Sequence, residues 1–336
     1  MSESKTIRAL AVHAPGALLS SFEYGRTSLG ADEIEVKVEY CALCHSDLHL
    51  MDGDWACAFP FVPGHEIIGS IIQTGVSVRD LKPGQRVGIG WQCGSCGICE
   101  VCITGRAHLC EAGKKRTCVN QYGGFAEYVR AHQHFVYAIP ETIPSIHAAP
   151  LMCAGLTVFS ALQTWVTPKT RRIGIIGMGG LGHLAVQFAA RMGCEVTAFD
   201  LSEDRLTLAK ELGAHQAALT DSAPKGTFDL MIAATAASLD WNHWLRHLTW
   251  GGVLCLLGYP AEEIRISPDI LLDGQKIVTG SVVGSPETMR TMLDFAARHH
   301  VRPMVEELPM KQAHEAVARL RANKVRYRMV LKADWE

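Results

Sequence analysis

The run Gly177-Met178-Gly179-Gly180-Leu181-Gly182 constrains the fold more than any other feature of the chain. It follows a short apolar segment, Arg172 to Gly177. It opens a segment whose apolar residues recur at helical spacing (Leu184, Ala185, Phe188, Ala189, Met192), with Gly193 as a stop. In that strand–turn–helix context, Gly177, Gly179 and Gly182 fit the G-x-G-x-x-G pattern. Glycines keep the turn tight and let the backbone approach a pyrophosphate, which then sits at the positive end of the helix. Further strands are expected at Glu195 to Phe199, Phe228 to Ala233, Gly252 to Gly258 and Lys276 to Val283. A helix is expected at Glu203 to Leu212, closed by Gly213. Strands alternating with helices predict an α/β, doubly wound parallel sheet over this half of the chain.

Asp200 ends the second of these strands, 18 residues after Gly182. A carboxylate there accepts hydrogen bonds from ribose hydroxyls and repels a 2′-phosphate, so it favours NAD(H) over NADP(H). The plainer alternative is that Asp200 starts the Ser202–Glu203 turn. Arg205 lies near enough to accommodate a phosphate in part.

The first 150 residues read differently. Glu33 to Val38 alternates in polarity, the period-2 mark of a half-buried strand, and Pro and Gly punctuate the residues beyond it. Many short strands predict a β-rich, barrel-like domain. A last helix, Met310 to Arg321, and a strand, Tyr327 to Leu331, are expected to return to it. The expected division is 1–154 with 286–336 as one domain and 155–285 as the other.

Composition narrows the function. Thirty-two basic and 34 acidic residues leave a formal charge of −2, which gives no support to nucleic-acid or membrane-surface binding. Spanning a bilayer needs about eighteen uninterrupted apolar residues. The best run, Leu151 to Val166, is broken by Thr157, Ser160, Gln163 and Thr164. Met1-Ser-Glu-Ser-Lys5 lacks the plan of a signal peptide, so the expected location is cytoplasmic. Twelve cysteines in such a chain point to metal more than to disulfides.

Cys96, Cys99, Cys102 and Cys110, spaced x2, x2 and x7, supply four thiolates. Such a set makes a closed, structural zinc site. Cys93 offers a competing register, and an iron–sulfur cluster is a further alternative. Elsewhere Cys44-His45-Ser46-Asp47-Leu48-His49 gathers several donors, Gly64-His65-Glu66 comes next, and Cys153 stands far downstream. Cys44, His65 and Cys153 together would be Cys2His, the donor set of a catalytic zinc with an open position. Taken singly, each also fits a buried thiol or a hydrogen-bonded core histidine.

These motifs, with Gly123-Gly-Phe-Ala-Glu127, Met152-Cys-Ala-Gly155, His183 and Val325-Arg-Tyr-Arg328, resemble the zinc-dependent medium-chain alcohol dehydrogenases. The resemblance covers nearly the whole chain and is nearest to the cinnamyl alcohol dehydrogenase and broad-range aldehyde reductase branch. It implies a GroES-like catalytic domain and a Rossmann domain. It implies that Cys44, His65 and Cys153 hold a catalytic zinc, with Glu66 beside the metal and Asp47 orienting His65. A second zinc would take the four cysteines from Cys96 to Cys110, leaving Cys93 out. His45 and Arg328 match positions that approach the cofactor pyrophosphate. Ser46 would hydrogen-bond the substrate oxygen, and His49 would pass the proton to solvent through the ribose hydroxyls.

Trp55 and Trp91 would line the substrate cleft, which suits apolar or aromatic aldehydes and primary alcohols. Phe59 shares that segment but fits core packing better. A dimer joined through the nucleotide-binding sheets is implied. Members of this branch usually carry small hydroxyl residues at Phe199-Asp200-Leu201 and use NADPH; the charge of Asp200 predicts NAD(H) here. Two other readings stand beside this one: a polyol or secondary-alcohol dehydrogenase of the same superfamily, and a non-catalytic zinc and dinucleotide redox sensor.

Overall fold

The computed structural model describes residues 6–220, 228–260 and 262–335. The run Met1–Lys5, read above for a signal peptide, lies outside them. The chain divides into two compact units. One comprises Met1–Cys153, Ser285–Ala297 and Pro303–Glu336; the other comprises Ala154–Gly284 and Arg298–Arg302.

The first unit is built on a seven-stranded sheet. The strand Glu33–Leu43 lies at its centre, antiparallel to Glu66–Thr74, Tyr128–His132 and Arg328–Lys332. Arg86–Ile89 and Val136–Ala138 extend one side, and Val305–Pro309 closes the other, parallel to Arg328–Lys332. The C-terminal strand therefore does return to this unit, with Met329 opposite Leu43 and Leu331 opposite Cys41. Ile34, Val36, Ile67, Ile71, Phe125 and Met329 fill one core with Ala313 and Val317 from the helix Ala313–Arg321.

The alternation expected over Glu33 to Val38 fails at one place. Glu35 is fully buried between two apolar neighbours, where an exposed residue was expected. Its carboxylate accepts hydrogen bonds from Arg26 and from Arg130 Nε at 2.8 Å, so a charge is tolerated inside the sheet because two guanidinium groups meet it.

The second unit carries a six-stranded, all-parallel sheet. Its order is Gln216–Leu219, Glu195–Asp200, Arg172–Ile176, Phe228–Ala233, Leu248–Leu256, Ile277–Gly280. The helix Gly182–Arg191 comes after the first strand in sequence and buries its Leu184, Ala185, Phe188 and Ala189 face, as the spacing predicted. The doubly wound α/β reading holds. The strand expected at Lys276 to Val283 is shorter, Ile277–Gly280; Val283 stands at a positive φ of 40°, outside extended backbone.

One helical run, Ser145–Trp165, is long and apolar enough to cross a membrane by length and composition, but 78% of its most apolar window is buried inside the fold.

Candidate active site and metal centres

Two neighbouring strands build the first donor cluster. In the antiparallel pair Glu33–Leu43 and Glu66–Thr74, Ala42 lies opposite Glu66. Cys44, just past the end of one strand, is thereby set beside His65, just before the start of the other. Cys44 also caps the helix His45–Asp52. Cys153 completes the group. The donor atoms of Cys44, His65, Glu66 and Cys153 all lie within 4.8 Å of one another.

Asp47 holds this arrangement from behind. Its Oδ2 accepts from the Cys44 N–H at 3.0 Å; its Oδ1 accepts from the Gly64 N–H at 2.9 Å and faces His65 Nδ1 at 3.0 Å. A carboxylate can only accept, so Nδ1 carries the proton and Nε2 is the free ligand atom. His65 Nε2 is buried and has no hydrogen-bond partner among the described residues. Burying such an atom costs free energy unless something binds it. Gly64 is obligatory here. Its φ is +101°, and a Cβ would come within 2.6 Å of Cys41 Sγ and 2.9 Å of Phe125.

The half-buried Cys44 thiol and the buried Cys153 thiol face each other. A hydrogen bond from Cys153 holds Cys44 well below the ordinary thiol range and Cys153 well above it. Two adjacent sulfurs cannot both ionise without a cation between them. The donor set therefore fits a divalent metal.

Glu66 has a second partner besides this cluster. It forms an ion pair with Arg328, both side chains almost fully buried, and its Oε2 has no partner among the described residues. Burial pushes the Glu66 carboxyl up to about 7, against the pull of Arg328. Arg328, expected near a pyrophosphate, is thus engaged inside the first unit by Glu66. His45 opens its helix and is exposed. Cys44 Sγ lies 3.8 Å from the Ser46 hydroxyl.

Four rings run outward from the cluster. His65 meets the edge of Trp91 at 4.7 Å, Trp91 meets Trp55 at 6.4 Å, and Trp55 stacks on His49 at 4.9 Å. Phe59 instead packs near Phe61, in the core. Two residues were missed in the sequence. Asp54 Oδ2 lies 2.9 Å from His49 Nδ1, and Cys118 Sγ lies 4.0 Å from His65 Nδ1. Asp54 stands five positions after His49, a spacing with no motif attached; nothing in the spacing points to Cys118.

The second cluster is the four-cysteine loop. Four of the six sulfur separations among Cys96, Cys99, Cys102 and Cys110 are 3.5 to 3.9 Å, and all six are within 4.8 Å. A tetrahedral zinc with Zn–S near 2.3 Å would set them about 3.8 Å apart. The N–H groups of Ile98 and Cys99 pull the Cys96 thiol down to about 6. At Cys99 the Cys102 N–H favours a thiolate, but the Cys96 thiol and the other sulfurs push it up to about 12. Four thiolates this close require a dication. Cys93 lies outside the group, buried, accepting from Gln121 Nε2 at 3.3 Å, with burial pushing its thiol up to about 11.

In the second unit, the glycine turn is shaped for a close ligand. A Cβ on Gly182 would lie 1.8 Å from the Gly177 carbonyl oxygen, so helix and strand approach only through glycine there. A Cβ on Gly179 would meet nothing within 4 Å, which leaves that side open. Gly180 and Leu181 lead into the helix, whose first N–H groups face an anion in this kind of turn. Asp200 is bound to the same turn. Its Oδ2 accepts from the Met178 N–H at 2.7 Å and its Oδ1 from the Ser202 N–H at 3.0 Å; Arg205 Nη1 stands 3.7 Å away.

Comparison with known proteins agrees with this architecture. Residues 30–141 match the alcohol dehydrogenase GroES-like domain, and residues 180–298 match the zinc-binding dehydrogenase domain. An aldehyde reductase of Synechocystis is 41% identical over 97% of this chain and 98% of its own. A cinnamyl alcohol dehydrogenase structure from Sorghum bicolor superposes with a TM-score of 0.93 at 32% identity, covering 99% of both chains. A cinnamyl alcohol dehydrogenase from Helicobacter pylori, solved with NADP(H), gives 0.91 at 27% identity, covering 97% of this chain and 98% of that one. The chain belongs to the zinc-dependent medium-chain alcohol dehydrogenase family. It is an oxidoreductase that uses a nicotinamide cofactor.

Proposed function

We propose that this enzyme interconverts apolar or aromatic aldehydes and primary alcohols with NAD(H), at a zinc held by Cys44, His65 and Cys153. The observation that carries the reading is the convergence of those three donors around an unpartnered, buried His65 Nε2. When bound, zinc acts as a Lewis acid on the carbonyl oxygen and the nicotinamide carries the hydride. Asp47 fixes the His65 tautomer. Ser46 orients the substrate oxygen by a hydrogen bond, and His49 exchanges the proton with solvent. Glu66, held by Arg328, tunes the field beside the metal. Cys96, Cys99, Cys102 and Cys110 hold a second, structural zinc. Gly177, Gly179, Gly180, Leu181 and Gly182 receive the pyrophosphate.

The rings of Trp55 and Trp91 support an apolar or aromatic substrate over a polyol. A proton path through Ser46 and His49 has no use in a sensor. Asp200, at the end of its strand, supports NAD(H), with Arg205 softening the exclusion of NADP(H). A homodimer joined at the edge strand Ile277–Gly280 is supported by the exposed apolar Ile277, Val282 and Trp250 in this unit. Sedimentation at micromolar concentration tests it; a monomer would sink that part.

The test of the reaction is the initial rate of NADH and of NADPH oxidation with cinnamaldehyde. Faster NADH oxidation supports the whole reading. Faster NADPH oxidation keeps the reaction and rejects Asp200 as the ribose acceptor. No rate with either, in zinc-replete protein, rejects the substrate class.

A further inference from the structure

We infer that His243 and His247, in the second unit, form a clamp for a divalent late transition ion. The inference stands independently of the proposed reaction. The helix Trp241–Arg246 and the residue that caps its C-terminus carry the pair. A spacing of four puts both side chains on one helix face. His247 Nε2 lies 3.2 Å from His243 Nε2, with the rings inclined by 74°. Two zinc–nitrogen bonds of about 2.0–2.1 Å, meeting at about 100°, span that distance, close to the tetrahedral angle. Histidines four apart on a helix hold zinc in the same way in H-E-x-x-H sites. Here Trp244, Leu245 and Arg246 lie between them and supply no general base, so the pattern is one of binding and not of catalysis.

The backbone holds both ligands in place. Asp240 Oδ1 accepts from the Asn242 N–H at 3.0 Å and the His243 N–H at 3.1 Å, which caps the helix under the first histidine. The His247 N–H donates to the Trp244 carbonyl oxygen at 3.0 Å. Its own carbonyl oxygen accepts from the Phe228 N–H at 3.1 Å, which ties the second histidine to the strand Phe228–Ala233. The buried Trp244 packs against both imidazoles, with ring separations of 5.5 and 5.9 Å. The rings therefore start near the bound arrangement, and little ordering remains for an ion to impose. The plainer alternative is a hydrogen bond between the two imidazoles, one Nε2 donating and the other accepting. When an ion binds, the donating histidine moves to its other tautomer, and both Nε2 atoms then offer lone pairs. His247 is buried and His243 half-buried, so solvent reaches the pair on the His243 side. Imidazole nitrogens suit Zn2+, Ni2+ or Cu2+ over Mg2+ or Ca2+. Two protein donors leave the other coordination positions to water, so the ion is held more loosely than at the four cysteines.

The test is a calorimetric titration with Ni2+. The protein is first loaded with zinc and dialysed to remove loosely held ions. Zinc is assayed in the same samples, so that exchange at the cysteine clusters is not counted. Wild type should bind one further ion per chain and melt at a higher temperature with Ni2+ present. His243→Gln keeps a hydrogen-bonding group at a half-buried position and should fold. It should bind that ion at least about tenfold more weakly, since even groups that only support a metal ligand are worth about ten- to a hundredfold. Its melting temperature should not respond to Ni2+. His132→Gln removes one ring of another histidine pair, His132 and His134, and should leave the ion bound as in wild type. No further ion in wild type, or equal affinity in His243→Gln, overturns the clamp and leaves the pair as a hydrogen bond that holds the end of the helix.

Discussion

Glu66 and Arg328 stand 262 residues apart in the chain and form a buried ion pair next to the Cys44, His65 and Cys153 donors. Arg328 is 5% exposed and Glu66 is fully buried. A carboxylate in such a place is stable as an anion only with a cation beside it. Removing one partner is therefore worse than removing both. Arg328→Met should cost about 3–5 kcal/mol of stability, and the double variant Glu66→Leu/Arg328→Met should cost distinctly less. Urea titrations of the metal-loaded proteins check this. Equal costs for single and double variants would show that the charge is not compensated by this pair.

The glycine turn makes a paired prediction. Gly182→Ala drives a Cβ into the Gly177 carbonyl oxygen, at 1.8 Å, and should destabilise the second unit by several kcal/mol, on the order of other overpacked sites. Gly179→Ala puts its methyl into open space. It should melt like wild type and yet bind dinucleotide at least about tenfold more weakly, since the methyl stands where the backbone meets the phosphates. Melting curves and NADH fluorescence titration separate the two. Wild-type binding by Gly179→Ala would remove the turn from the cofactor site.

Glu35 sets a pH dependence away from the metals. Burial pushes its carboxyl up, but the hydrogen bonds and charges of Arg26 and Arg130 outweigh that and leave it below its ordinary 4.5. A lowered folded value means that the unfolded chain binds the proton more readily. The stabilisation is thus complete above about pH 4.5 and is lost as pH falls through the folded value. Wild type should lose stability in acid more steeply than Glu35→Gln, which should be weaker at pH 7 and flatter below pH 5. Parallel acid profiles would contradict this account of the buried charge.

Local pattern made much of this legible. The strand Phe228–Ala233 has the bounds expected from its largely apolar run, in which only Asp229 is charged. The four cysteines converge with the x2, x2, x7 set that the family resemblance favoured over the register containing Cys93. What failed was long-range. Nothing local to Glu35 announces Arg26 or Arg130, so a charged strand residue reads as exposed. Nothing near Arg328 announces Glu66. Cys44, His65 and Cys153 are far apart in sequence; the register of Ala42 against Glu66 is what brings the first two together. Asp54 was passed over because the turn at Gly53 that folds it onto His49 is a backbone event, with no side-chain motif.

The most direct test of the catalytic centre is one variant measured two ways. Cys44→Ser should be assayed for zinc per chain and for NADH-dependent reduction of cinnamaldehyde. We predict that zinc falls from two ions to one, with the ion at Cys96, Cys99, Cys102 and Cys110 retained, and that turnover is abolished. Wild-type turnover by Cys44→Ser would contradict the assignment of Cys44, His65 and Cys153 as the catalytic zinc ligands.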